Sequence, residues 1–308
     1  MVPVATWAAV RTADPKLGYP WVALIAYTPY AAIAAVVPVA VALLTRRWGA
    51  LAVAVAALAL LGAAVVPRSF SGQPAPATDG PTLRVLSANA LNGNADPKAL
   101  VELVRRERVD VLSVQELTAC AAADLNAAGI ATLLPHRALA PAPSSGGGGL
   151  YSRPALRPTA EGLLGVGATR MPRAVVAVAG APPVDLSVVH PNPPTSSSAA
   201  ERWESILAEA PPPSDGERLR ILAGDFNATL DQAQFRELLD AGYVDAANAV
   251  GAGFEGTWNA RRWMPPPVAI DHVLVDPRIH VDAASVHELP GSDHHAVFAE
   301  LTLPPAES

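Results

Sequence analysis

The chain has one cysteine, Cys120, so no intrachain disulfide can form and a disulfide-stapled secreted scaffold is excluded. Charge is also scarce, with 16% of residues Asp, Glu, Lys or Arg, against roughly a quarter in an ordinary soluble domain. Lysine is nearly missing: 20 of the 22 basic residues are arginine. Together with abundant alanine this reads as the habit of a GC-rich genome and carries no functional weight. No repeat of solenoid period is present. The place of charge is taken by apolar residues, which make up 51% of the 308 and raise the mean hydropathy to +0.26. A chain of this length can bury a large core without staples.

The apolar excess lies at one end. No charged residue occurs from Leu17 to Thr45, Arg46 and Arg47 follow, and the chain is uncharged again from Trp48 to Pro67 before Arg68. Each stretch reaches the ~20 residues a bilayer crossing needs. A two-arginine hairpin between two such runs, with no cleavage pattern after the first, argues against a signal peptide or a soluble core helix. The expectation is an N-terminal anchor over residues 1–68, with transmembrane helices at about 17–45 and 48–67 in the plasma membrane. Pro29 and Pro38 should kink the first, and Tyr19, Trp21 and Trp48 stand where interfacial aromatics anchor span ends. Positive loops stay cytoplasmic, so Arg46 and Arg47 place whatever follows Arg68 outside, although Arg11 and Lys16 compete for the same side. The opening MVPVATWAAV is too short to span and reads as the end of an earlier helix.

SFSGQPAPATDGPT, from Ser69, has the composition of a linker, expected over residues 69–80, with a catalytic domain over 81–308. Beyond position 69 there are 17 basic and 27 acidic residues, a net of −10. Such a domain repels phosphate polymers at long range and lacks the basic footprint of a nucleic-acid binder. Within it, β-prone apolar runs alternate with helical patterns. TLRVLSANA reads as a strand, PKALVELVRRERV as a helix capped by Asp96 with Pro97 at its first position, and DVLSVQEL as the next strand. RAVVAVAG, PVDLSVVH, RLRILAGDFNA, IDHVLVD and HHAVFAELTL read as further strands, and SAAERWESILAEA and DQAQFRELLDAG as helices. The pattern predicts a layered α/β fold with mixed sheets. SSGGGGLYSR is a flexible approach to a strand, not a phosphate loop, since no Lys-Ser or Lys-Thr pair follows.

Polar residues stand at the strand ends. Asn89 ends the first strand, Glu116 the second, His190 the VVHPNPP strand, and Asp225 and Asn227 the AGDFN strand. Asp271 begins IDHVLV, and Ser292, Asp293, His294 and His295 precede the last strand. Each taken singly has an ordinary explanation: a turn asparagine, a solvated carboxylate, a histidine before proline, an Asp-His turn pair. Their order is more specific. The series SANAL, VQEL, HPNPP, GDFNA, IDHVLV, SDHHAV resembles the endonuclease/exonuclease/phosphatase superfamily, which includes pancreatic deoxyribonuclease, exonuclease III, inositol polyphosphate 5-phosphatases and neutral sphingomyelinases. The resemblance covers roughly Pro81 to Leu303. The apolar N-terminus with HPxPP and GDFNAT is similar to the membrane-anchored actinobacterial members. The fold this implies is α/β, a four-layer sandwich with two central mixed sheets flanked by helices, preceded here by the two transmembrane helices.

The chemistry such a site must perform is phosphoester hydrolysis: offsetting charge on phosphoryl oxygens, placing a water in line and helping the leaving oxygen depart. Hard oxygens suit Mg²⁺, with Mn²⁺ as a substitute. Glu116 is the leading ligand, Asp293 completes the site as the resemblance implies, and Asn89 bonds the metal shell or a phosphate oxygen. Asp225 is placed to deprotonate the water. Asn227, on the same face if the strand stays extended, would donate its amide to phosphate. The resemblance pairs His294 with Asp271 as a cationic donor and gives His190 contact with phosphate or leaving group. It also puts Thr257 and Trp258 on the substrate side, with a plain core role as the alternative for Trp258. His295 reads as a pocket-rim residue and His272, on the opposite strand face from Asp271, as structural. The expected function is a membrane-anchored, Mg²⁺-dependent phosphoesterase acting on an envelope or phospholipid-type phosphoester. The alternatives are a nuclease of the same superfamily or an inactive membrane-tethered binding protein.

Overall fold

The computed structural model describes residues 2–13, 16–73, 75–76, 79–159, 169–214, 216–259 and 265–306. Linker positions 74, 77 and 78 and the Asp14 of the N-terminal tail lie outside the described residues.

The N-terminal region is helical. Helix α1 (Val2–Ala13) is followed by an apolar segment made of α2 (Trp21–Leu24), a 3₁₀ turn, α3 (Thr28–Ala34) and α4 (Val36–Leu44), and then by α5 (Trp48–Val65). The interruptions put Pro29 and Pro38 in the first turns of α3 and α4, where a missing N–H leaves no helical bond unmade. Trp21–Leu44 and Trp48–Ser69 are long and apolar enough to cross a bilayer by length and composition, with mean hydropathies of 1.9 and 2.5. Ala8 of α1, Ala35 between α3 and α4, and Ala57 and Leu61 of α5 form one buried cluster that packs these helices together.

The alternation read from residue 82 onward forms β1 (Thr82–Asn89), α6 (Pro97–Arg106), β2 (Val111–Gln115), α7 (Ala119–Ala127), α8 (Ile130–Leu133), β3 (His136–Ala140), β4 (Gly148–Ser152) and β5 (Leu156–Pro158). It continues through β6 (Arg173–Val176), β7 (Val184–Val189), α9 (Ser197–Ala208), β8 (Leu219–Asp225), α10 (Ala233–Asp240), β9 (Val244–Asp245) and α11 (Ala246–Ala249). The last strands are β10 (Asp271–Val275), β11 (His280–Glu288) and β12 (His295–Thr302). Asp96 caps α6 as its sequence implies, its Oδ1 accepting from the backbone N–H of Lys98 at 2.8 Å and of Ala99 at 3.2 Å.

The described strands make two six-stranded mixed sheets, ordered β11-β12-β1-β2-β4-β3 and β5-β6-β7-β8-β10-β9. One apolar cluster, including Val85, Val111, Leu186, Ile221 and Val273, fills the space between them. A second packs α6, α7 and α8 on the outer face of the first sheet, and a third, around Trp203, Phe226 and Phe235, packs α9 and α10 on the second. This is the four-layer α/β sandwich. β1 and β2 are parallel, as are β7 and β8, while β12 and β10 run antiparallel beside β1 and β8. The C-terminal ends of four strands and the N-terminal ends of two therefore meet on one edge. Gly224 makes the join of β7 and β8 possible there, because a Cβ on it would stand 1.8 Å from the Val189 carbonyl oxygen.

Candidate active site

On that edge the two sheets are tied by side chains that would otherwise be buried without partners. The Asn89 Nδ2, from the end of β1, donates to Asp225 Oδ2 at the end of β8 at 3.0 Å and to Glu116 Oε1 at 3.3 Å. Its Oδ1 accepts from the Leu91 N–H at 2.9 Å. Asn89 thus bridges two carboxylates, with its own oxygen already engaged. Glu116 follows β2 in a left-handed conformation (φ 57°), which turns its carboxylate back toward the site, where Oε2 accepts from the Asn92 N–H at 2.6 Å. A bulky residue in that conformation is strained and is held by its surroundings.

Asp225 is 2% exposed, and His190 Nε2 lies 3.7 Å from both its Oδ2 and Glu116 Oε1. Asp271 starts β10 directly opposite Asp225 in the sheet register. Its Oδ2 accepts from His294 Nδ1 at 2.8 Å and from the Thr257 hydroxyl at 2.6 Å, leaving His294 Nε2 facing Asp225 Oδ2 at 3.8 Å. Burial, reinforced by Asp271, pushes the Asp225 carboxyl up to about 6 against the pull of His294 and His190. Burial works to lower His294, but Asp271, Asp225 and Asp293 outweigh it and lift the imidazole to about 10. The result is an imidazolium beside a carboxylate poised near neutrality.

Ten residues were singled out in the sequence, and the structure gathers them on this edge while changing what some of them face. Glu116, His190, Asp225, Asn227, Trp258, Asp293 and His294 line one cavity of about 410 Å³. Asn227 reaches it by a different route from the one expected. β8 ends at Asp225 and Asn227 is left-handed (φ 48°), so strand alternation does not apply. Its N–H donates to Asp225 Oδ1 at 2.8 Å and its Nδ2 to the Pro191 carbonyl at 2.9 Å. Thr257 does not line the cavity. It is 2% exposed, and its hydroxyl accepts from the Ile270 and Asp271 N–H groups while donating to Asp271. It holds the carboxylate that holds His294. Trp258 does face the cavity, with Nε1 donating to Asp293 Oδ2 at 3.1 Å.

His272 is buried away from the site, its Nδ1 on Asp245 Oδ2 at 2.7 Å and its Nε2 on the Ala228 carbonyl at 2.9 Å. Burial works to lower the ring, but Asp245 and the Ala228 carbonyl, both acceptors, outweigh it and raise its affinity for a second proton. Sequence reasoning missed Ser145, Asn192 and Gln232 in the cavity wall, and it missed Ala23 and Ala26 altogether. Asn192 stood in the quoted HPNPP, but nothing in a one-dimensional pattern brings residues of an N-terminal helix to a site formed beyond residue 88.

Among the described lining residues there is no Lys or Arg, although Glu116, Asp225 and Asp293 all face the cavity and Asp271 stands just behind His294. One imidazolium does not balance four carboxylates. The hard-oxygen donors of Glu116 and Asp293 fit a divalent cation of the Mg²⁺ kind, which would restore that balance. Asp225, Asp271 and His294 also bring ligand atoms within 4.8 Å of one another. His294 Nδ1 is already bonded to Asp271, however, and a protonated ring has no lone pair for a metal.

A four-layer α/β sandwich with carboxylates, amides and paired histidines at the converging strand ends is the architecture of a phosphoester-hydrolase fold. Residues 86–294 match the Endonuclease/Exonuclease/phosphatase family, and the chain belongs to it. Solved structures agree on the fold. An endonuclease/exonuclease/phosphatase from Beutenbergia cavernae is 21% identical, with 73% of this chain and 72% of that chain covered and a TM-score of 0.55. D. rerio TDP2 complexed with single-strand DNA product is 18% identical, with 72% and 99% covered and a TM-score of 0.56. An AP endonuclease from Archaeoglobus fulgidus is 14% identical, with 70% and 98% covered and a TM-score of 0.56. No curated protein matches the chain by sequence.

Proposed function

We propose that the chain is a membrane-anchored, divalent-metal-dependent phosphoesterase whose catalytic domain, residues 81–308, lies outside the cytoplasm. The observation that carries the reading is the excess of carboxylate over cationic side chains among the described residues of one cavity that also holds a protonated histidine. A cation held by Glu116 and Asp293 supplies, when bound, the positive charge that draws in a phosphate and polarises its oxygens.

Asp225 takes the proton of the attacking water on its carboxylate, a base matched to neutral pH by its raised value. The water oxygen bonds to phosphorus as the bond to the leaving oxygen breaks. His294, kept charged and oriented by Asp271, donates from Nε2 to a phosphoryl oxygen as negative charge accumulates there. His190, which lines the same cavity, donates to the leaving oxygen. A nuclease reading is less well supported, because the described residues of the cavity wall include no arginine or lysine for a polyanion's backbone.

Membrane anchoring is supported by the surfaces of the apolar helices. Ile33, Val36, Val37, Val41, Leu44 and Leu60 are exposed, which water would penalise and lipid would not. The test of the function is turnover of bis(4-nitrophenyl) phosphate and of 4-nitrophenyl phosphate by the full chain in nanodiscs with Mg²⁺ or Mn²⁺. Release of nitrophenolate that EDTA abolishes and Mg²⁺ restores is expected. Absence of turnover with both ions would leave an inactive binding protein as the better description.

A further inference from the structure

The mouth of the catalytic cavity is not formed by the sandwich alone. Ala23 and Ala26, from the first apolar segment, are part of its wall. A second cavity, of about 470 Å³, lies between the helices and the domain, and Ala26 and Val268 line both. Its helix side is apolar, with Ile33, Leu58, Gly62 and Val65, and its domain side presents Leu230 and Phe254. The polar members do not face a ligand unpaired, since Arg68 bonds Asp231 through both NH groups at 2.9 and 2.6 Å. Beyond the helices, Phe70 and Phe254 are the exposed large apolar side chains among the described residues, and Phe254 stands on this groove. The wall is fixed to the domain by Tyr30, whose hydroxyl donates to the Pro267 carbonyl at 2.6 Å.

We infer that the substrate is a phosphoester lipid of the surrounding bilayer, with its phosphate in the catalytic cavity and one hydrocarbon chain in this groove. The inference rests on the phosphoesterase reading above and adds the substrate class. Its physical basis is the cost of extraction. A lipid lifted to a site above the bilayer exposes methylenes to water, each at roughly a fourfold loss in equilibrium constant. An apolar groove that lies among the membrane helices and shares Ala26 and Val268 with the catalytic cavity would remove much of that loss. The two cavities adjoin at Ala26 and Val268, and Ala26 on the helix side of that junction is a small residue.

The test compares two diesters with the same leaving group, ethyl 4-nitrophenyl phosphate and hexadecyl 4-nitrophenyl phosphate, hydrolysed by the full chain in nanodiscs with Mg²⁺. Gly62 is the position to fill, because a Cβ there meets nothing within 4 Å and the residue faces the groove. Wild type should favour the hexadecyl ester by ~10-fold or more in kcat/KM, and Gly62→Phe should erase most of that preference. Turnover of the ethyl ester should stay within about twofold of wild type, which also shows that the variant is folded. Partition of the long ester into the disc acts equally on both proteins, so the change in preference between them isolates the groove.

Equal use of both esters by wild type, or a preference untouched by Gly62→Phe, would overturn the groove assignment and leave the phosphoesterase reading standing. Equal use accompanied by two chains per disc would give the groove to a second copy and overturn it likewise. No turnover of either ester with wild type would overturn the phosphoesterase reading itself, and the lipid assignment with it.

Discussion

At the scale of single residues the site is a set of dependencies. In the proposed mechanism Glu116 offers charge to a cation, and Glu116→Gln keeps both its shape and an acceptor for the Asn92 N–H. The expected outcome is a loss of ~10²-fold or more in rate, partly recovered by raised Mg²⁺, with the fold retained. Full activity at the wild-type metal requirement would contradict its role. Asp271 and His294 act as one unit through a 2.8 Å bond, with Thr257 behind them. Asp271→Asn and His294→Ala should each cost ~10²-fold, and the double variant little more than either; additive losses would mean separate roles. His295→Ala serves as the nearby control.

The pH behaviour follows from the same pair. If Asp225 is the base it must be ionised, and since it stands at about 6, kcat should fall as pH drops through 6, while His294, at about 10, keeps its proton through the neutral range. The folded value of His294 lies above its unfolded 6.5, so its contribution to stability is complete below pH 6.5 and is lost as pH rises through about 10. Thermal unfolding of wild type between pH 7 and 10 should show that decline, and Asp271→Asn should flatten it.

At the scale of elements, the helices and the sandwich are joined by a buried charge cluster rather than by apolar packing alone. Asp231, 1% exposed in the loop after β8, takes Arg11 from α1 at 3.0 Å and Arg68 from the end of α5 at 2.6 Å. Lys16 adds Glu237 at 3.0 Å and Glu204 at 3.6 Å, both on helices of the outer layer. The Gln232 side-chain amide donates to the Val22 carbonyl at 3.3 Å. Removing one partner of a buried pair leaves uncompensated charge. Asp231→Ala should therefore lower stability by about 3 kcal/mol or more and loosen the groove beside it. Chemical denaturation of the full chain in detergent measures the first, and the ester preference the second. A change under about 1 kcal/mol would show the cluster to be solvated in solution.

At the scale of the whole molecule, the basic residues of the N-terminal region fall at the two ends of the apolar helices. Arg11, Lys16 and Arg68 all contact the sandwich, while Arg46 and Arg47 sit in the turn between α4 and α5, at the other end of the apolar helices. If that turn is cytoplasmic, the domain is outside. A reporter that functions only outside the cytoplasm, fused after residue 308, should be active, and one that functions only inside should be silent. The reverse pattern would overturn the topology and move the substrate to the inner leaflet.

What the sequence by itself determined was whatever depends on local period and composition. The apolar runs around Arg46 and Arg47, the alternation of strands and helices, the Asp96 and Pro97 start of α6 and the family signature in GDFN and SDH were all legible, because each is written in neighbouring residues. Some strands were not. β5 and β9 are only three and two residues long, and β11 carries a register shift between Val281 and Ala283, so neither length nor a clean period marks them in the sequence. The same limit applied to the site. The residues could be named, but Asn227 was set by a left-handed turn rather than by strand period, and Thr257 was turned inward onto Asp271. The contact of Ala23 and Ala26 with the catalytic cavity arose only when the N-terminal helices docked on the sandwich. Strand-end chemistry is carried by residue type and order, whereas what each side chain faces is fixed by which strands and helices meet, and that information is spread over the whole chain.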